Sequence, residues 1–327
     1  MLPETTYLPT EDGWRLALHH WPGRGEKRRH PVLMVHGLGA NRLNLDLDER
    51  YSIARATRER GFEVYVLELR GAGLSISPGG QDRFNFQWGF GEYAEIDLPT
   101  AVKAVLERSG APAVHGLGHS MGGMLLYSFG VRQPPALRSI VTVGSPLVCE
   151  LDLAARDRRL LKLATTLAPQ GSQRRVPIRR LMGVAGRFVA LGSRLADGLL
   201  LNAANTDPEV MSRMAREAID DVPLKLLLEL SHQMMNGHAG TGPYAYESQL
   251  ERINVPVMAL GGSLDRVAPP ASVAAAASRL ASRDVRYREM GRRFGDRADY
   301  GHVDLLVGRA APEEVYPFVL DFLEEVD

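Results

Sequence analysis

Gly118-His119-Ser120-Met121-Gly122 sets a serine between two glycines, directly after the apolar run 113–117 and before a stretch of helical character that begins at Met124. A hydroxyl is a weak nucleophile unless the backbone presents it at a sharp turn beside a base, and a strand-to-helix turn of this composition does so. The glycines leave room where strand and helix approach each other. The amide of Met121 falls at the helix N-terminus, where it points at developing negative charge. The chemistry implied is attack by Ser120 on a carbonyl carbon. The plain alternative, a glycine-rich turn without chemistry, is weakened by two suitable partners further along the chain.

The first partner is a base. His19, His20 and His30 precede the expected sheet core, His115 lies within a strand, and His232 and His238 belong to a helical excursion. His302 differs: it stands in Tyr300-Gly301-His302-Val303-Asp304, between the last expected strand and the C-terminal helix. The second partner is an acid that holds the base's tautomer and stabilises its charged form. Asp265, in Gly261-Gly262-Ser263-Leu264-Asp265, follows the strand 255–260 and so falls at the carboxyl rim of the sheet, where open α/β sheets bind ligands. Asp304 is the alternative acid, though its place at the entry to the last helix suits it better to fixing that loop. Asp284 and Asp299 are further alternatives.

These residues need a frame. Continuous apolar runs at 31–35, 62–67, 139–143, 255–260 and 285–290 read as strands buried on both faces. Helical spacing over 51–60, 93–107, 120–132, 271–279 and 312–325 falls between and after them. Asp12-Gly13 between alternating segments predicts a hairpin. Strand alternating with helix argues for an α/β fold with a mostly parallel sheet flanked by helices. The rhythm breaks between about 147 and 251, where only helices are expected, at 151–167, 178–195, 208–218 and 222–235. The expected organisation is therefore a core of residues 1–146 and 252–327 with a helical lid inserted at 147–251. The first half of the lid is rich in arginine, among them Arg156, Arg158, Arg159, Arg175, Arg179 and Arg180. A solvated face is the ordinary meaning of such a run, and peripheral contact with lipid headgroups is the alternative. Leu224, Leu226, Leu227, Leu228, Leu230, Met234 and Met235 suit an acyl pocket or, at helical spacing, simply a core.

The order Ser120, Asp265, His302, together with His36-Gly37-Leu38-Gly39 and Gly301-His302-Val303-Asp304, resembles the α/β-hydrolase superfamily over nearly the whole chain. Asn44-Leu45-Asp46, Asp97-Leu98-Pro99-Thr100-Ala101 and the stretch from His302 to Gly308 look like its acid-lipase and bacterial lipase/esterase branch. The resemblance implies Ser120 as nucleophile, His302 as general base and then acid, and Asp265 as its orienting carboxylate. The oxyanion donors are assigned to the backbone amides of Leu38 and Met121, with His36 shaping the first loop. It further implies hydrolysis of carboxylic esters, lipophilic ones by the character of the lid, through an acyl-enzyme and without a cofactor. Acyl transfer or amide hydrolysis on the same triad is the alternative, and a catalytically degenerate binding protein is a more distant one.

Other classes find little support. Lys+Arg and Asp+Glu both number 39, so no net charge argues for nucleic acid. Cys149 is the single cysteine and has no partner for a disulfide. The first residues lack the pattern of a secretory signal, and no apolar run is long enough to span a bilayer, so a cytoplasmic location is expected. Gly116-Leu117-Gly118 would open a dinucleotide fingerprint only with glycine where Met121 stands. Arg70-Gly71-Ala72-Gly73-Leu74-Ser75 lacks the Lys-Ser/Thr of a phosphate loop. Adjacent His19 and His20 face opposite ways in a strand, and neither HExxH nor paired cysteines occur, so no metal is expected.

Overall fold

Strands β1 (Glu4–Pro9) and β2 (Arg15–Trp21) form an antiparallel hairpin across a turn in which Gly13 takes φ +88°. In this computed structural model, residues 2–80, 86–146, 175–187, 200–236 and 242–327 are described. Beyond the hairpin come β3 (Val32–Val35), β4 (Val64–Glu68), β5 (Val114–His119) and β6 (Leu137–Val143). A two-residue ladder, β7 (Arg175–Val176) with β8 (Val222–Pro223), stands apart. The main sheet ends with β9 (Val257–Gly262) and β10 (Val285–Met290). Its order is β1-β2-β4-β3-β5-β6-β9-β10, antiparallel at β1/β2 and β2/β4 and parallel elsewhere. Every residue of β3, β4, β5 and β9 is buried, because helices cover both faces; their sequences therefore run apolar without alternation.

Helices α1 (Ile53–Glu59) and α2 (Leu98–Ser109) follow the expected spacing with shifted ends. Ser52 caps α1 by accepting from the Arg55 amide, and Gly110, at φ +69°, closes α2. The expected start of α2 at 93 is instead a wide π-turn, Tyr93–Asp97. That turn carries the buried Asp97 carboxylate onto Arg70, whose Nε and Nη2 donate to it at 2.8 and 2.6 Å. The Arg-Gly turn after β4 is thus a buried ion-pair anchor. Helix α3 (Met121–Arg132) leaves β5 at the elbow, and α8 (Ala311–Val326) closes the fold.

Between β6 and β9 lie α4 (Ile178–Arg187), α5 (Pro208–Glu217) and α6 (Leu224–Asn236), and α7 (Pro270–Ser278) follows β9. The β7/β8 ladder corrects the expectation of helices alone in this segment. Two residues per strand leave no period in the sequence, and their pairing is distant along the chain. The expected helix 151–167, the end of 178–195, Cys149, His238 and most of the arginine-rich run lie outside the described residues. Arg175 and Arg179 pair with Asp221 and Asp220 at 3.3 and 3.4 Å. Among the described residues no helix is long and apolar enough to cross a membrane.

At the opposite end of β5 from Ser120, Asp327 Oδ1 lies 2.9 Å from His30 Nδ1 and 3.1 Å from His115 Nε2, tying the end of α8 to the sheet. These three side chains bring potential ligand atoms within 4.8 Å of one another, a cluster that the linear sequence does not display.

Candidate active site

Ser120 occupies the step from β5 to α3 with φ 53° and ψ −121°, a conformation that strains any residue with a Cβ. The two glycines explain how the chain affords it. A Cβ on Gly118 would stand 2.4 Å from the Gly122 carbonyl carbon and the Gly123 amide nitrogen, and one on Gly122 would stand 2.2 Å from the Val35 oxygen. The elbow is pinned from the neighbouring strand, since the Ser120 amide donates to the Val143 carbonyl at 2.9 Å. Met121, as first residue of α3, has an amide with no acceptor inside the helix.

Asp265 follows β9 and is buried. Its Oδ1 accepts the amides of Val267 and Ala268, both at 2.8 Å, leaving Oδ2 to meet His302 Nδ1 at 2.7 Å. An ionised carboxylate only accepts, so Nδ1 carries the hydrogen and Nε2 of a neutral ring presents its lone pair. Space for this pair depends on Gly144, at φ +55°, where a Cβ would crowd His302 Nδ1 and Asp265 Oδ2 at 3.2 and 3.3 Å.

The alternative acids are engaged elsewhere. Buried Asp304 accepts from the amides of Gly301 and Asn202, both at 3.0 Å, and from Asn205 Nδ2 at 2.9 Å. It fixes the His302 loop rather than the imidazole, and burial pushes its carboxyl up to about 6. Asp284 pairs with Arg286, and Asp299 accepts from Ser263 Oγ and the Arg292 amide.

The loop after β3 is held on several sides. His36 Nε2 accepts from the Leu69 amide at 3.2 Å, which leaves Nδ1–H to donate to the Gly37 carbonyl at 2.9 Å. That carbonyl shares a planar peptide with the Leu38 amide, so fixing one fixes the direction of the other. The preceding amide, of Gly37, donates to Asn44 Oδ1 at 3.1 Å, and the same oxygen faces His119 Nδ1 at 2.9 Å. The outer edge of the loop pairs with residues 218–220: Asn41 N donates to the Ala218 carbonyl and Asp220 N to the Gly39 carbonyl. Asp220 Oδ2 also accepts from Asn41 Nδ2 and the Gly73 amide at 3.1 and 2.8 Å. Sequence reasoning singled out neither His119 nor Asp220. His119 was only the variable position of the serine pentapeptide, and Asp220 carries no motif.

Ser120, His302, Leu38 and Met121 all line one cavity of about 270 Å³, a little below the usual range for small-molecule sites. Its walls include Met124, Met182, Met214, Ile219 and Leu230, and no Asp, Glu, Lys or Arg stands among its described lining residues. Of the leucines considered for an acyl pocket, Leu230 reaches this wall, whereas Leu226 is in the core. Side chains of Met234 and Met235 lie outside the described residues. The arrangement can therefore bring an uncharged carbonyl compound against a strained hydroxyl, near an imidazole and two backbone amides.

Comparison with known proteins agrees with this fold. The family model for the alpha/beta hydrolase fold matches residues 30–308, and the chain belongs to that family. It is similar to human Lipase member K, with 26% identity over 97% of this chain and 86% of that protein. A triacylglycerol lipase of Pseudarthrobacter phenanthrenivorans is 33% identical over 36% of this chain and 33% of its own length. Among solved structures, a monoacylglycerol lipase of Paleococcus ferrophilus superposes with a TM-score of 0.63 at 18% identity, covering 95% of this chain and 99% of that one.

Proposed function

We propose that the protein hydrolyses carboxylic esters with lipophilic acyl groups through an acyl-enzyme on Ser120. Ser120 Oγ attacks the ester carbonyl as His302 Nε2 takes its proton, and the resulting oxyanion is held by the amides of Leu38 and Met121. Collapse expels the alcohol, which takes the proton from His302. Water, deprotonated by the same nitrogen, then attacks the acyl-enzyme; collapse breaks the bond to Ser120 Oγ, which takes that proton back from His302, and the carboxylic acid is released. Asp265 keeps the imidazole in the Nδ1–H tautomer throughout and stabilises its charged form. The observation that carries this reading is the 2.7 Å contact of His302 with Asp265 in a cavity shared with a positive-φ serine. An uncharged wall rich in methionine supports lipophilic rather than ionic substrates. Residues 147–251 serve as the lid, a role supported by the contribution of Ile178, Met182, Met214 and Ile219 to the cavity.

The test is labelling with a fluorescent alkyl phosphonate alongside a p-nitrophenyl ester series. The expected result is one label per chain, lost in Ser120→Ala, with hydrolysis of neutral acyl esters preferred over esters bearing a charged acyl group. An unlabelled wild-type protein that cleaves no activated ester overturns the reading.

A further inference from the structure

His119 stands between two acceptors. Its Nδ1 is 2.9 Å from Asn44 Oδ1, and its Nε2 is 3.2 Å from the backbone carbonyl of His302. The Asn44 amide cannot be turned to relieve this, because its oxygen already receives the Gly37 amide. A neutral imidazole owns a single N–H. The ring is neutral: burial, with His302 and His36 nearby, brings it down to about 3. The two contacts therefore cannot both be hydrogen bonds, and the shorter one, to Asn44, takes the proton. The ring also forms the floor beneath the loop, since a Cβ on Gly37 would meet His119 Nδ1 and Ser120 Cβ at 3.2 Å each.

We propose that His119, as its Nδ1–H tautomer, is a positioning residue that locks Asn44 and through it the Gly37 amide, so that the Leu38 amide is aimed before the oxyanion forms. This rests on the reading of Leu38 as an oxyanion donor. The Nε2 lone pair is left facing the His302 side, with the ring centroids of the two histidines 4.8 Å apart.

Side-chain amides separate the two ring nitrogens. His119→Asn places an N–H near the Nδ1 position, whereas His119→Gln reaches the Nε2 position. With p-nitrophenyl butyrate, His119→Ala and His119→Gln are expected to lower kcat at least about 10-fold at unchanged KM, short of the loss of a whole oxyanion donor. Binding of an alkyl trifluoromethyl ketone, held as its hemiketal oxyanion, should weaken in parallel, and His119→Asn should restore both. A fully active His119→Ala or His119→Gln, or a kcat loss without weaker ketone binding, overturns the proposal. So does ¹⁵N-histidine NMR of the wild type showing the proton on Nε2 of His119, a measurement that needs no variant other than His119→Asn for assignment. Phosphonate labelling of Ser120 in the wild type distinguishes the failures. Without it the hydrolase reading falls; with it, unaffected His119 variants sink this proposal alone.

Discussion

The two amides assigned to the oxyanion are supported in different ways. Met121 is carried by β5 and α3, an elbow walled by glycines and hydrogen-bonded to β6. Leu38 sits on a loop whose inner side rests on His36, Asn44 and His119 and whose outer edge is stitched to residues 218–220. One proposed donor thus belongs to the sheet, and the other depends in part on a segment inserted between β6 and β9. Substitutions at the sheet-borne half should act on chemistry alone, whereas those at the outer stitch should link the inserted segment to the rate.

The largest effects are expected where the sheet holds the reacting groups. Ser120→Ala and His302→Ala should each reduce kcat about 10⁴-fold or more without changing the thermal midpoint appreciably. Asp265→Asn should be comparably severe, while Asp304→Asn should alter kcat only a few-fold. Ester turnover of purified variants checks this, and the reverse pattern for the two aspartates would move the acid role to the His302 loop. A smaller effect is expected at the stitch. Asp220→Ala removes the acceptor for Asn41 and Gly73, and we expect kcat to fall roughly 10-fold, a fraction of what losing an oxyanion donor costs. Unchanged kcat in that variant would mean that the inner side of the loop suffices.

The same contrast governs what was legible in the sequence. Chemistry confined to a short window is visible there: the serine pentapeptide needs its glycines for local steric reasons, and buried parallel strands announce themselves as unbroken apolar runs. The hairpin at Asp12-Gly13 is likewise a local signal. Pairings across long separations leave no such trace. Asn44 meets His119 across 75 positions and Asn41 meets Asp220 across 179, each through one polar side chain with no repeating pattern around it. The β7/β8 ladder is too short to have a period, and the π-turn before α2 is set by a buried Arg70–Asp97 contact rather than by helix propensity. His30, His115 and Asp327 are unremarkable one by one and form a cluster only after folding.

The smallest expected effect is a pH slope in stability from Asp304, which joins the His302 loop to Asn202 and Asn205 of the inserted segment. Burial raises its carboxyl to about 6, against the opposing hydrogen bonds from Asn205, Asn202 and Gly301. A raised carboxyl favours the folded state while it is protonated. Its contribution is full below the unfolded value near 4, and it declines as pH rises to about 6, because the unfolded chain has already released its proton. The change is at most roughly 3 kcal/mol for a shift of this size. Urea unfolding of wild type and Asp304→Asn between pH 4 and 7 isolates it: the difference in stability between the two should drift in favour of the variant as pH rises and level off above about 6. A constant difference across that interval would mean that Asp304 is ionised in the folded protein throughout, with its three donors outweighing burial.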